Sequence, residues 1–130
     1  MKRDLENRAD IDDLMIRFYR EAMTDETIGY IFKAAELDLE HHLPIIGDFW
    51  ETLLFRSDAY EKHGRNPLRV HAELDEKTPL LSEHFERWLE IFREKVDESF
   101  TGECADFIKF RAEQIANRML SYVSKPVGLS

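Results

Sequence analysis

Apolar side chains recur at helical spacing through most of this chain, and that recurrence most restricts its fold. Ile11, Leu14, Met15, Phe18, Tyr19 and Ala22 fall at i, i+3, i+4, i+7, i+8 and i+11. At 3.6 residues per turn these positions share one face of a helix, and a face that apolar has to be buried. Asp10 is placed to cap that helix, because its carboxylate can accept from the free N–H groups of the first turn.

The same pattern returns three more times. A short turn, "TDETIGYIF", carries Gly29 and the apolar pair Ile31 and Phe32. Ile45, Ile46, Phe49, Trp50, Leu53 and Leu54 then form a second stripe. Pro44 lacks an amide hydrogen and suits a first turn, so the spacing predicts a helix starting near Leu43. A third helix, capped by Ser82, carries Phe85, Trp88, Leu89, Phe92 and Val96. "FTGE" punctuates it. A fourth runs from about Glu103 to Tyr122 with Ile108, Ala112, Ile115 and Met119 inward. No strand-like alternation, repeat or linker interrupts this. The fold class is all-α, one domain over residues 1–130, with a core at about 11–122 and frayed termini.

Residues 57–81 break the rhythm. "HGRNP" and "EKTP" hold turn formers, and only Leu68 to Leu74 suggests a short helix. Helical bundles usually join their helices with about 2–8 residues. A longer irregular segment in a compact domain often serves a ligand, and His71 lies inside this one.

Charge and cysteine content narrow the function. The net charge is −9, from 27 acidic and 18 basic residues. Nucleic acid and anionic membranes both demand a cationic footprint, so neither is expected as the main partner. The N-terminal stretch has no apolar signal region, and no apolar run nears the roughly 20 residues of a spanning helix. One cysteine, Cys104, cannot form an internal disulfide. It fits a reducing cytoplasm and reads as a partly buried small side chain.

Five histidines remain: His41, His42, His63, His71 and His84. His41 and His42 are adjacent, so on a helix they point apart and do not chelate together. No HExxH, zinc pattern, phosphate loop or dinucleotide fingerprint is present. Tyr19 and Trp88 project from apolar faces with a polar handle each, and such groups need hydrogen-bond partners when buried. Read by spacing alone, His71 is more readily a core or surface side chain than a ligand, and His42 more so.

The order and spacing of "HLPIIGDFW", "NPLRVHAEL" and "FERWLEIF", with "LMIRFYREA", "IGYIF" and "RAEQIANRML" around them, resemble the group III truncated haemoglobins, a bacterial globin family. The similarity runs from about Ile11 to Tyr122. It implies a shortened globin, a two-over-two helical sandwich around haem b (iron protoporphyrin IX). The resemblance makes His71 the proximal ligand to the iron and His42 a distal residue. It makes Tyr19 and Trp88 distal hydrogen-bond donors. Phe32, Ile46, Phe49 and Trp50 would line or buttress the haem pocket. His41, His63 and His84 match no functional position and read as solvated or structural.

Those roles agree with elementary chemistry. One neutral imidazole leaves the sixth site of haem iron open to a diatomic gas. The Tyr19 O–H and Trp88 Nε1–H can donate to it in a dry pocket. Two such donors would slow O₂ release, which argues against bulk storage. The expected function is reversible binding of O₂, with CO and NO as further ligands, in the cytoplasm. Three roles stay open for His42: donor, swinging gate or iron ligand. A rival reading is a redox enzyme, an NO dioxygenase or peroxidase-like protein served by a separate reductase. A second rival is a haem-free helical interaction module.

Overall fold

The computed structural model describes residues 2–55 and 80–123, in five helices. They are α1 (Arg8–Ala22), α2 (Gly29–Ala34), α3 (Leu39–Phe55), α4 (Ser82–Ser99) and α5 (Glu103–Val123). His71, His63, the short helix expected at 68–74 and the tail from 124 lie outside the described residues. α1 packs on α3, α4 packs on α5, and α1 also crosses α4. The result is one helix pair laid over another. The described residues contain no strand, only an isolated bridge between Arg3 and Phe100.

The stripes read from the sequence are the buried faces. Ile11, Leu14, Met15, Phe18, Tyr19 and Ala22 are all buried, and so are Ile45, Trp50, Phe92, Val96, Ile108 and Ala112. Ile46, Phe49, Leu53, Phe85, Trp88 and Ile115 are half-buried against the same core.

Helix starts differ from the sequence expectations. Asn7, not Asp10, caps α1: its backbone is extended and its side-chain oxygen accepts from the Asp10 N–H at 3.1 Å. Asp10 is instead buried and accepts from the Arg3 guanidinium and the Glu6 N–H. Leu81, not Ser82, occupies the cap position of α4, and its N–H donates to His84 Nδ1 at 2.9 Å. "GYIFKA" is a short helix rather than a plain turn.

α3 begins at Leu39, earlier than Pro44 suggested, so Pro44 lies inside it. The Asp38 carbonyl accepts from the His42 N–H at 2.9 Å, which places His42 in the first turn. Pro44 frees the carbonyl one turn back, because the ring has no N–H to offer it. Arg8 of α1 braces this region: its guanidinium donates to the Pro44 carbonyl at 3.1 Å and to Asp48. Gly47 makes room for it, since a Cβ there would lie 2.6 Å from the guanidinium.

The residues ahead of α1 are tied into the fold. Leu5 is buried, and the Asp4 carboxylate accepts from the Cys104 and Ala105 N–H groups at 2.9 and 2.8 Å. It thereby caps α5 from the far end of the chain. Gly102 permits this: its φ of +137° suits glycine, and a Cβ would meet the Asp4 side chain at 2.6 Å. Burial alone would raise the Asp4 carboxyl, but the N–H bonds outweigh it and hold it below the usual carboxylate range.

Candidate functional site

The helices border a partly open cavity of about 350 Å³. All seven described residues singled out in the sequence line it: Tyr19, Phe32, His42, Ile46, Phe49, Trp50 and Trp88. The eighth, His71, lies outside the described residues. The cavity volume falls within the common range of small-molecule sites, roughly 300–1,000 Å³, and its wall is mostly apolar and aromatic with a few polar groups, as in such sites.

One wall is an aromatic cluster built by helix periodicity. Trp88 and Phe92 are one turn apart on α4 and stack at 5.3 Å with 21° between planes. Phe92 also meets Trp50 of α3 at 5.4 Å, and Phe18 of α1 presents its edge to both Trp88 and Phe92. Three helices thus contribute rings to one cluster. Those contacts hold the Trp88 indole in orientation while it lines the cavity.

The main polar feature is a pair. The Tyr19 hydroxyl lies 2.8 Å from His42 Nε2, and the two rings meet edge to face at 5.2 Å. α1 supplies Tyr19 from its last turn and α3 supplies His42 from its first. Phe18 and Phe32 each meet the tyrosine ring edge to face, at 5.0 and 5.9 Å. Burial pushes the Tyr19 phenol well above its ordinary range, so it keeps its proton at neutral pH. Two proton arrangements follow. With hydrogen on Nε2, His42 donates to the Tyr19 oxygen and leaves the phenolic hydrogen for another acceptor. With hydrogen on Nδ1, Tyr19 donates to His42.

The sequence left His84 unassigned, as solvated or structural, and the geometry makes it a structural element of the cavity wall. It is buried and lines the cavity one turn before Trp88. Its Nδ1 accepts from the Leu81 N–H, so in the neutral ring the hydrogen is on Nε2 and donates to the Tyr30 hydroxyl, 3.0 Å away. A polar residue on an otherwise apolar stripe was the available signal. His41 is exposed. Cys104 is half-buried, and burial with the nearby Asp4 and Glu103 carboxylates pushes its thiol up, away from nucleophilic character.

The chemistry of this lining suits a largely apolar macrocycle bearing a small polar ligand. The wall is aromatic and aliphatic, and its polar groups are the Tyr19–His42 pair, His84 and the indole N–H groups of Trp50 and Trp88. Among the described residues, no helix is long and apolar enough to cross a membrane.

No protein-family model matches the chain. It is 30% identical to the group 3 truncated hemoglobin ctb of Campylobacter jejuni, over an alignment covering 98% of this chain and 99% of that protein. Its fold is similar to the crystal structure of a group III truncated hemoglobin from Campylobacter jejuni. The TM-score is 0.82 at 29% identity, over 96% of this chain and 97% of that one. With the all-helical architecture and near-complete coverage on both sides, this chain belongs to the group III truncated haemoglobin family.

Proposed function

We propose that this truncated haemoglobin, a globin-type haem ligand-binding protein, reversibly binds O₂ and other diatomic gases at haem b, with His71 as the proximal ligand. The observation that carries the reading is the hydrogen-bonded Tyr19–His42 pair, set into a mostly apolar and aromatic cavity. Haem held by one imidazole supplies an open iron position for a diatomic gas. Phe32, Ile46, Phe49 and Trp50 hold the macrocycle by apolar and aromatic contact and keep water out. Tyr19 and Trp88 are the donors to a ligand in the pocket. His42 fixes the direction of the Tyr19 hydroxyl through its tautomer. His71 supplies a ring nitrogen, with its other nitrogen held by a neighbouring acceptor.

The Tyr19–His42 pair also favours a second reading. Two exchangeable groups in hydrogen bond can hold and move a proton beside a polarised ligand. That suits an NO dioxygenase or peroxidase-like activity, with electrons from a separate reductase. The family membership displaces the haem-free interaction module. The cytoplasm remains the proposed location.

Titrating the apo-protein with haemin tests the reading. The expected result is a sharp one-to-one Soret band that shifts on reduction and again with CO, and that is lost or broadened in His71→Gly. A Soret band unchanged by His71→Gly removes the proximal assignment. NO consumption under O₂ with an added reductant separates catalysis from simple binding.

A further inference from the structure

A second depression, an open surface groove of about 550 Å³, lies against α2. Phe32 and Leu37 line both this groove and the cavity. Among the described residues, they therefore form a wall between this groove and the cavity. The wall is at the distal side, because the Phe32 ring is 5.9 Å from that of Tyr19.

These two residues are also the closing contact of a helix end. The Glu36 N–H donates to the Lys33 carbonyl at 3.0 Å, and the Leu37 N–H donates to the Phe32 carbonyl at 3.1 Å. This is the Schellman arrangement, in which the residue after the turn packs on the residue three before the cap. The turn needs a left-handed residue, ordinarily glycine. Here Glu36 fills it with φ +53°. A side chain with a Cβ is disfavoured there, so the closed turn is held against local strain.

The other end of this segment is fastened. Arg87 of α4 pairs with Asp25 at 2.9 Å, and Asp25 also accepts from the Thr27 and Ile28 N–H groups. Tyr30 is bonded to His84 of α4. α2 is thus anchored at its start and strained at its finish. Opening the turn at residues 35–37 would separate Leu37 from Phe32 and connect groove to cavity.

We propose that diatomic gases enter and leave the distal pocket through the Phe32–Leu37 wall, with the strained turn at Glu36 as its gate. The proposal rests on the haem-binding reading above. A gate makes a kinetic signature that a distal donor does not. It changes association and dissociation by one common factor and leaves affinity alone, whereas loss of a hydrogen bond to the ligand raises dissociation and weakens affinity.

The test uses the haem-loaded, CO-bound protein, in wild type, Glu36→Gly and Leu37→Ala. CO rates come from flash photolysis and ligand replacement, and amide exchange at Leu37 from NMR. Glu36→Gly relieves the strain, so Leu37 amide exchange and both CO rates should fall together by roughly two- to fivefold. Leu37→Ala thins the wall, so both rates should rise by a shared factor. Two results overturn the gate: slower Leu37 exchange in Glu36→Gly with CO rates unmoved, or a change in dissociation alone in Leu37→Ala. A wild-type chain that gives no Soret band with haemin overturns the haem reading itself, and the gate with it.

Discussion

The two ends of α1 are built for different purposes. At its start, Ile11 and Leu14 are fully enclosed, and charged side chains tie the helix to its neighbours. Arg3 holds Asp10, and Arg8 reaches Asp12, Asp48 and the Pro44 carbonyl on α3. At its finish, Phe18 and Tyr19 are as well buried from solvent but face a cavity, with His42 as the hydroxyl's partner. One end is closed packing and the other is packing with a space left in it. The first should carry stability, and the second should carry ligand behaviour. The two can therefore be altered separately.

Leu14→Ala should have the largest effect. Leu14 is 0% exposed and does not line the cavity. Removing its methyl groups leaves a void in tight packing, at a cost of about 2–5 kcal/mol. Urea unfolding of the haem-loaded protein measures it. The O₂ dissociation rate should stay near wild type. A large change in that rate would mean that the two ends of α1 are coupled, and the comparison would break.

Asp4→Ala comes next. It removes the carboxylate that accepts from Cys104 and Ala105 at the start of α5, and loss of a helix cap costs about 0.5–2 kcal/mol. The sign of its pH dependence is fixed by the depressed carboxyl. A carboxyl whose folded value lies below its unfolded value, near 3.9, contributes fully above that unfolded value. The contribution fades as pH falls through the folded value. Thermal melts should therefore show a gap between wild type and Asp4→Ala at neutral pH that narrows only in the acid range below about pH 4. A gap that narrows near pH 6 would point to a histidine instead.

The same contrast explains what could be read from the sequence. Every apolar stripe was legible, because burial of a helix face writes a 3.6-residue period directly into side-chain type. Helix starts were less so. Asn7 and Asp10 both look like caps, and only the backbone at residue 7 decides between them. Pro44 favours a helix start but does not forbid a position further in, and Asp38 ahead of "LEHH" was the overlooked signal. The cap on α5 was out of reach, since Asp4 and Cys104 are a hundred positions apart and nothing local joins them. Tyr19, His42 and Trp88 were singled out through family resemblance, and the pairing of Tyr19 with His42 depends on how α1 crosses α3. The strained turn at Glu36 was hidden because glutamate does not advertise a left-handed backbone.

Tyr19→Phe probes the other end of α1. It keeps the ring against Phe18 and Phe32 and removes only the hydroxyl. Stability should change by less than about 1 kcal/mol, because His42 is only half-buried and water can replace the lost partner. O₂ dissociation should rise by roughly two- to tenfold, the equivalent of one net hydrogen bond of about 0.5–1.5 kcal/mol. Stopped-flow displacement of O₂ by CO measures it. A rise in dissociation without change in association would also separate this donor from the gate at Phe32 and Leu37. An unchanged dissociation rate would mean that Tyr19 gives its hydrogen to His42 and that Trp88 carries the ligand alone.

The smallest effect is expected where neither purpose applies. Arg93 on α4 and Glu113 on α5 form an ion pair at 2.8 Å, with side chains 44% and 48% exposed. Water screens such a pair, and ordering two long side chains offsets most of the attraction, so exposed pairs contribute about 0.2–1 kcal/mol. Glu113→Gln should therefore lower the unfolding free energy by no more than that. The difference should vanish at 1 M salt, where the screening length is about 3 Å. O₂ dissociation should be unaffected, because the pair joins the outer faces of α4 and α5 and does not line the cavity. Urea titrations at low and high salt, paired with the stopped-flow assay, give both readouts. A salt-resistant loss comparable to that of Leu14→Ala would show that the α4–α5 layer is held by charge rather than by Ile91, Val96, Ile108 and Ala112. The division of the molecule into a packed half and a pocket half would then have to be redrawn around the surface.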